Sequence, residues 1–470
     1  MWGKVARWIL EHEAILIILA LVVLLRVPSL FEPYWYGDEG IYLTVGRGLR
    51  QGLALYRDIH DNKPPLLYLV AAVAGGVQFW FKFIAMLWSV AVVAVFWNLT
   101  LRMVPGKRKI AAWATIIFAG LTTLPFLEGN IANAELFFLL LTVGSFSIIY
   151  KGGNLIQAGA LLGLAGLFKM PAVLEAGVWP VIWLISQDKK WFAKSWWLGV
   201  GVAIPLGLAA VYFAIKGTLP QFLGAAGIQL VPYLSSWRVD LPVVGTLAGR
   251  AAALVIWLLI AWLFRKRLSH NGLILAVWWG VTLFAALLSG RPYPHYLLQM
   301  AAVIALAVTI EKKLAVGLIT VLLAVFVAFK FYVYPVWGYY ENFGKWVTGQ
   351  QSHNQYFAWF NPQVGNNYET AKKIMAGSSP EERIFVWGDE PMIYALARRL
   401  PVGRYTVRYH VLEFGAQKQT ADLLSSEPPR YIVSFGQEKE LPGLPALLAE
   451  KYIPEGSVGS AKVYRLWKKF

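Results

Sequence analysis

Leu66–Gly76, "LLYLVAAVAGG", is an uncharged apolar run flanked by Lys63-Pro64-Pro65 on one side and the aromatic segment "VQFWFKF" on the other. It is long enough for only about three helical turns, which is about the length of an interfacial or re-entrant segment. Whether it crosses decides the topology of everything after it. If it does not cross, the second span is Ile84 to Leu101, and the basic cluster Arg102, Lys107, Arg108 and Lys109 falls in the cytoplasm. If it does, that cluster lies outside. The bias of Lys and Arg toward cytoplasmic loops selects the first register.

The rest of the chain is consistent with that register. Its 470 residues are 58% hydrophobic with a mean hydropathy of +0.53, and apolar runs recur throughout, as in a polytopic membrane protein. At the N-terminus Lys4 and Arg7 precede the apolar stretch Ala14 to Leu25. No small-x-small cleavage site follows it, so it reads as an uncleaved first span entering from the cytoplasm. Further spans are expected near Ile110 to Phe126, Asn133 to Tyr150, Leu155 to Phe168, Val173 to Ile185 and Trp196 to Ile215. Four more follow at Val243 to Phe264, Leu273 to Leu288, Tyr296 to Ile310 and Leu314 to Phe331. The inner connections carry Lys189, Lys190, Lys194, then Arg265, Lys266, Arg267, then Lys312 and Lys313. With about eleven spans, an odd number, a cytoplasmic N-terminus implies an extracytoplasmic C-terminus in the plasma membrane. The net charge of +17 sits mostly in these short loops, where it orients the chain and meets anionic headgroups. That distribution argues against nucleic-acid binding. Cysteine is absent, which excludes disulfides and thiolate metal sites.

Composition divides the chain near residue 335. Residues 1–335 form the membrane part with an external loop at 31–65, and 336–470 form a water-soluble outer domain. In the latter, Arg383–Gly388 ("RIFVWG"), Tyr431–Phe435 ("YIVSF") and "AKVYRLWKK" read as strands, with helices at Pro391 to Leu400 and Ala416 to Ser425. Strands alternating with helices suggest a small α/β domain. Asp389 and Glu390, at a strand end, read as helix-capping groups. No repeat period points to an inverted-repeat transporter.

Chemistry concentrates in Gly37–Pro65, "GDEGIYLTVGRGLRQGLALYRDIHDNKPP", directly beyond the first span. Asp38, Glu39, Asp58 and Asp61 stand there with Arg47, Arg50, Arg57 and Lys63 in a chain that is only 15% charged, and Tyr42 and Asp61 are further polar candidates. Charge this dense beside a membrane marks a site. A second external loop, "EGNIANAEL", is flanked by Glu128 and Glu135, so carboxylates from separate parts of the chain could meet at one outer interface. A carboxylate there can take the proton of an acceptor hydroxyl, and Asp38 is the candidate base, with Glu39 and Glu135 as the candidates to orient acceptor or sugar hydroxyls. Its bland alternative is to cap, with Glu39, a helix starting near Gly40. Fixed cations near the outer boundary can stabilise a departing anionic group, and Lys63, Lys169 in "LFKMP" and Arg291 in "GRPYPHY" are candidates. Lys63 snorkelling, Lys169 capping the preceding helix and Arg291 anchoring an interface are the structural readings of the same residues. Lys169 resists that reading best, since a cation between two short spans is costly without a partner. His295, in the turn of Arg291, reads as a satisfied interfacial histidine or a phosphate contact. No His-x-x-x-His spacing exists, yet a divalent Mg or Mn held by Asp38 or Glu39 is compatible with the residues.

Asp-Glu-Gly-x-Tyr, then Tyr-Arg-Asp, then Lys-Pro-Pro running into Leu-Leu-Tyr resembles the first external loop of the GT-C glycosyltransferases. The resemblance is closest to the bacterial members of family 39, relatives of protein O-mannosyltransferase and aminoarabinose transferase. It implies a GT-C-like helical bundle that takes a sugar from a polyprenyl-phosphate carrier and passes it, with inversion, to a lipid, glycan or protein acceptor on the outer face. It further implies Asp38 as the catalytic aspartate, Glu135 in "NAEL" as the second acidic position, and Lys63 and Lys169 as the lysines of the Lys-Pro-Pro and Thr-Lys-Gly/Pro elements. Phe168 precedes Lys169 where Thr is usual, and Leu136 follows Glu135. Two other classes are weighed against this one. A lipid-linked sugar flippase needs charges along a path across the bilayer, whereas these gather at one face. A membrane-anchored binding module needs only one span and leaves the loop Asp38 to Lys63 without a purpose.

Overall fold

The computed structural model describes residues 2–229, 231, 234 and 245–467, with side chains from residue 12 onward. The side chains of Lys4 and Arg7, the expected span start at Val243 and the final lysines of "AKVYRLWKK" lie outside the described residues. In chain order, α1 is Trp2–Arg26, α2 Gly37–Arg50, α3 Leu66–Val73, α4 Gln78–Met103, α5 Arg108–Thr123, α6 Ala134–Tyr150, α7 Leu155–Gly166, α8 Val178–Ile185 and α9 Trp191–Ile215. Contacts divide the chain into two compact units, Met1–Val27 with Ala85–Val336, and Pro28–Ile84 with Trp337–Phe470.

The first unit is a helical bundle. Among the described residues, His12–Phe31, Gln78–Met103 and Trp191–Ile215 are long and apolar enough to cross a membrane, and seven shorter apolar helices accompany them. Each expected span coincides with a helix or with a 3-10 segment that a helix continues. Pro171 opens the 3-10 segment Met170–Gly177 that runs into α8, and Pro294 opens Pro294–Met300 that runs into the helix Ala301–Ile310. Small residues let the helices close up where lipid tails supply no hydrophobic drive. A Cβ on Gly159 of α7 would lie 2.1 Å from the Leu198 carbonyl of α9, and one on Gly163 would lie 2.4 Å from that of Val202. Aromatic stacking fills the remaining gaps, as in Phe96 on Phe118 at 4.1 Å and Phe146 on Trp278 at 3.8 Å.

The short apolar run Leu66–Gly76 is an eight-residue helix, α3, followed by two left-handed glycines. At 1.5 Å per residue it reaches about 12 Å, less than half of a hydrocarbon core. The next long apolar helix is α4. Within the second unit α3 lies against α2 so closely that a Cβ on Gly46 would be 2.7 Å from the backbone of Ala71.

The remainder of that unit is a four-stranded sheet with helices on both faces. Strand β1 is Ile384–Trp387, β2 Tyr431–Ser434, β3 Tyr452–Val458 and β4 Ala461–Leu466, in the order β1-β2-β4-β3. Strands β1 and β2 are parallel, with Phe385 opposite Ile432, and the other pairings are antiparallel. "IFVW" and "YIVS" are buried at every position because both faces are covered. Ile384 and Val386 pack with Ile374, Ile393 and Tyr394 on one face, and Phe385 and Trp387 with Leu424, Leu444 and Leu448 on the other. Asp389 is a cap, though for a different helix from the one that follows it. Its Oδ1 accepts the Tyr409 amide at 3.1 Å, at the start of Arg408–Glu413.

Two charge clusters as the candidate functional site

In the second unit, α2 begins at Gly37, three residues before the expected start, and no side chain caps it. Asp38 and Glu39 therefore lie inside the first turn, where their charge suits the positive end of the helix dipole, and their oxygens are directed elsewhere. Asp38 Oδ2 accepts from the Tyr42 hydroxyl at 2.9 Å and from Lys63 Nζ at 3.1 Å. Tyr42 is one turn further along α2, and burial, reinforced by Asp38 and Asp61, pushes its phenol well above the usual range, so it stays a donor. The Lys63 ammonium also stands 4.8 Å over the Tyr42 ring and 3.9 Å from Asp61. Its backbone is pinned by two tyrosines. Tyr56 Oη donates to the Lys63 carbonyl at 2.8 Å, and the Lys63 amide donates to Tyr68 Oη at 3.1 Å. Tyr68 in turn donates to Asp61 at 2.7 Å. Tyr56 reaches this position from a left-handed backbone, φ 69°, a conformation that costs a non-glycine residue about 1 kcal/mol or more and persists only where packing imposes it.

Behind this face lies a layer of buried histidines. His410 Nε2 is 3.7 Å from Asp61, and the His60 amide donates to the Arg404 carbonyl at 2.8 Å. The His60 ring sits among Tyr405 and Phe414 with neither nitrogen hydrogen-bonded, and burial followed by the neighbouring His410 lowers it to about 4. Burial lowers His410 as well, against the pull of Asp61.

Glu39 faces away from Asp38 and into a closed ion cluster. Its Oε2 is 3.2 Å from Lys82, whose ammonium is also 2.7 Å from Glu32, and the Tyr339 hydroxyl donates to Glu32 at 2.6 Å. Lys82, on the first turns of α4, is wholly buried. The cluster fixes the start of α2, which carries Asp38.

The first unit holds the other cluster. Lys169, extended between α7 and the 3-10 segment Met170–Gly177, pairs with Glu135 on the first turn of α6. Its ammonium lies 3.8 Å over the Tyr296 ring. His295 Nδ1 meets Glu128, and its Nε2 is 4.0 Å from Glu135. Glu128 adopts φ 58° at the end of Pro125–Leu127, and Arg26 of α1 donates to the next carbonyl, that of Gly129. Tyr332 is pushed up to about 12 by its burial and by the Glu128 carboxylate. Arg291 is half-buried in the loop before Pro294, its amide on Ser289 Oγ at 3.3 Å.

Among the described residues no three or more His, Cys, Asp or Glu side chains are grouped to hold a metal ion. Asp38 and Glu39 each have a lysine ammonium beside them.

No family model and no curated protein matches the sequence. Solved structures do. ArnT from Cupriavidus metallidurans bound to undecaprenyl phosphate aligns with a TM-score of 0.61 at 14% identity, over 96% of this chain and 98% of that one. Its apo state gives 0.59 at 13% identity over 98% of each chain. This chain has the GT-C fold. The Archaeoglobus fulgidus oligosaccharyltransferase in complex with zinc and sulfate aligns with a TM-score of 0.45 at 14% identity, over 96% of this chain and 73% of its own, too distant to add weight.

On this GT-C fold the sequence candidates separate into two sets. Asp38, Tyr42, Asp61 and Lys63 come together in one unit, and Glu128, Glu135, Lys169 and His295 in the other, with Glu39 turned to Lys82. The partners that sequence reasoning passed over are Lys82, Glu32 and His410, whereas Tyr56 and Tyr68 belong to the Tyr-Arg-Asp and Leu-Leu-Tyr elements without having been given a role. A single signal marked Lys82, the one charge in "VQFWFKF".

Proposed function

We propose that the chain is an integral membrane glycosyltransferase that moves a sugar from a polyprenyl-phosphate carrier to an acceptor on the outer face by direct, inverting displacement. The observation that carries this reading is the part-exposed Asp38 carboxylate, held 3.1 Å from a lysine ammonium at the start of α2. A carboxylate that water and substrate can reach, already oriented by Tyr42, suits the removal of a proton from an acceptor hydroxyl. As that proton arrives, the oxygen attacks the anomeric carbon, the bond to the phosphate oxygen breaks, and its electron pair leaves with the phosphate. Lys63 then loses its charged partner just as the phosphate gains charge, so its attraction passes from base to leaving group. Asp61, behind Lys63, keeps the ammonium in place. Glu39 acts at one remove, holding α2 through Lys82.

In the other unit we propose the same class of ligand for Lys169, with Arg291 and His295 as further contacts to lipid phosphate and Glu135 as the group that orients the ammonium. The likeness of the fold to that of an ArnT bound to undecaprenyl phosphate supports a carrier of this type. The test is incubation of the purified protein with radiolabelled polyprenyl-phosphate hexoses and cell-envelope fractions. Label is expected in one acceptor fraction, whether lipid, glycan or protein. Label that stays on the carrier with every sugar and fraction tried overturns the proposal.

A further inference from the structure

Glu175 is a carboxylate inside an apolar run, "MPAVLEAGVWPVIWLI", and it is 4% exposed. Its two oxygens accept from two neutral donors on different elements. Oε2 takes the Trp278 indole at 2.9 Å, from the helix His270–Ala286, and Oε1 takes the Gln299 amide at 3.0 Å, from Pro294–Met300. A buried carboxylate in an apolar run, with neutral hydrogen-bond donors for partners, is costly, and packing alone would be served by an apolar side chain. Its cost calls for a role.

The positions of its partners supply one. Glu175 lies in the 3-10 segment that starts directly after Lys169, and Gln299 lies four residues after His295 in the other 3-10 segment. Both segments that present the charged cluster therefore have the weaker hydrogen bonding of 3-10 geometry. The Glu175 carboxylate ties them to each other and to Trp278, which is itself stacked on Phe146 at 3.8 Å. We infer that Glu175 is a positioning residue, which sets the segment carrying Lys169 in register with the segment carrying His295. Its effect on catalysis rests on the phosphate-binding reading of Lys169.

The test follows the cluster itself as well as its ligand. The chain has six histidines, so ring-labelled protein in detergent gives few signals, and His295→Gln assigns the one of interest. Glu175→Leu is expected to move the His295 signal while leaving those of His60 and His410, in the other unit, in place. Affinity for polyprenyl phosphate is expected to fall roughly tenfold, the scale of one lost charge-assisted contact. Glu175→Gln should restore both signal and affinity, since the Gln299 amide can turn to accept from the new amide while Trp278 still donates to its oxygen. Should Glu175→Leu fail to fold, Gln299→Leu breaks the same tie from the other side and is expected to move the His295 signal in the same direction. An unmoved His295 signal in both leucine variants, or a Glu175→Gln protein as impaired as Glu175→Leu, overturns the inference. Wild-type protein that binds no polyprenyl phosphate refutes the reading of Lys169 instead, and the His295 signal still decides the role of Glu175.

Discussion

The two charge clusters are made of nearly the same parts, two carboxylates, a lysine, a histidine and a tyrosine ring under the ammonium, yet they expose different members. In the second unit the Asp38 side chain is 33% exposed and Lys63 20%, with Asp61 closed in behind them. In the first unit Glu135 and Glu128 are sealed, and Lys169, at 18%, is the reachable charge of its pair. A reachable carboxylate can exchange a proton with a substrate, whereas a reachable ammonium backed by a buried carboxylate can only attract an anion. On the proposed function, chemistry belongs to the Asp38 arrangement and anchorage to the Lys169 one.

The largest effect expected from that assignment belongs to Asp38. Asp38→Asn keeps the size and the contact with Tyr42 but cannot take a proton, so steady-state turnover should fall by about two to four orders of magnitude, with folding intact. Glu135→Gln should cost far less. Equal losses in the two variants would erase the distinction between the clusters.

Removing Lys82 tests whether the start of α2 depends on its buried ions. Lys82→Met leaves Glu32 and Glu39 buried without their cation and should destabilise the protein by about 3 to 5 kcal/mol, read from thermal unfolding in detergent. A change within error would show that water reaches the cluster and that α2 is held by other means.

The histidine layer makes the second unit sensitive to acid. His60 has a folded value of about 4 against an ordinary 6.5, so below 6.5 the unfolded chain binds more protons than the folded one. Stability is full above about pH 6.5 and declines as pH falls toward 4, by up to about 3 kcal/mol from this group. His60→Phe should flatten that decline, measured as unfolding midpoint against pH. An unchanged slope would mean that the decline arises elsewhere.

The smallest effects separate the two lysines by affinity. Lys63→Ala and Lys169→Ala should each weaken binding of polyprenyl phosphate without sugar by about 1.5 to 3 kcal/mol, from loss of a charge-assisted contact. Loss in Lys63→Ala alone would confine the anion to the Asp38 cluster. Loss in Lys169→Ala alone would confine it to the Glu135 cluster.

The apolar helices were legible because membrane segments are apolar runs, and "IFVW" and "YIVS" because a strand covered on both faces is apolar throughout. Strand β3 was not, since "YIPEGSV" carries Pro and Gly and its pairing with β4 shifts register between Pro454 and Ser457, all features of a turn in one dimension. In the site, residue types were legible and partners were not. Asp38 and Lys63 stood in one quoted stretch, but Glu39 finds Lys82 and Glu135 finds Lys169 only through folding, across 43 and 34 intervening steps of chain. A lone Lys in an aromatic run and a lone Glu in an apolar one show that a partner must exist, without naming it.

The central claim is direct displacement from a polyprenyl-phosphate sugar with Asp38 as base, and the fate of the anomeric carbon reads it most directly. Donor of known configuration, labelled at that carbon, is mixed with excess enzyme, and the product of one turnover is examined by NMR. The account predicts transfer with inverted configuration in the wild type and a chemical step slowed in Asp38→Asn at unchanged donor affinity. Retained configuration, or a chemical step indifferent to Asp38, would contradict it.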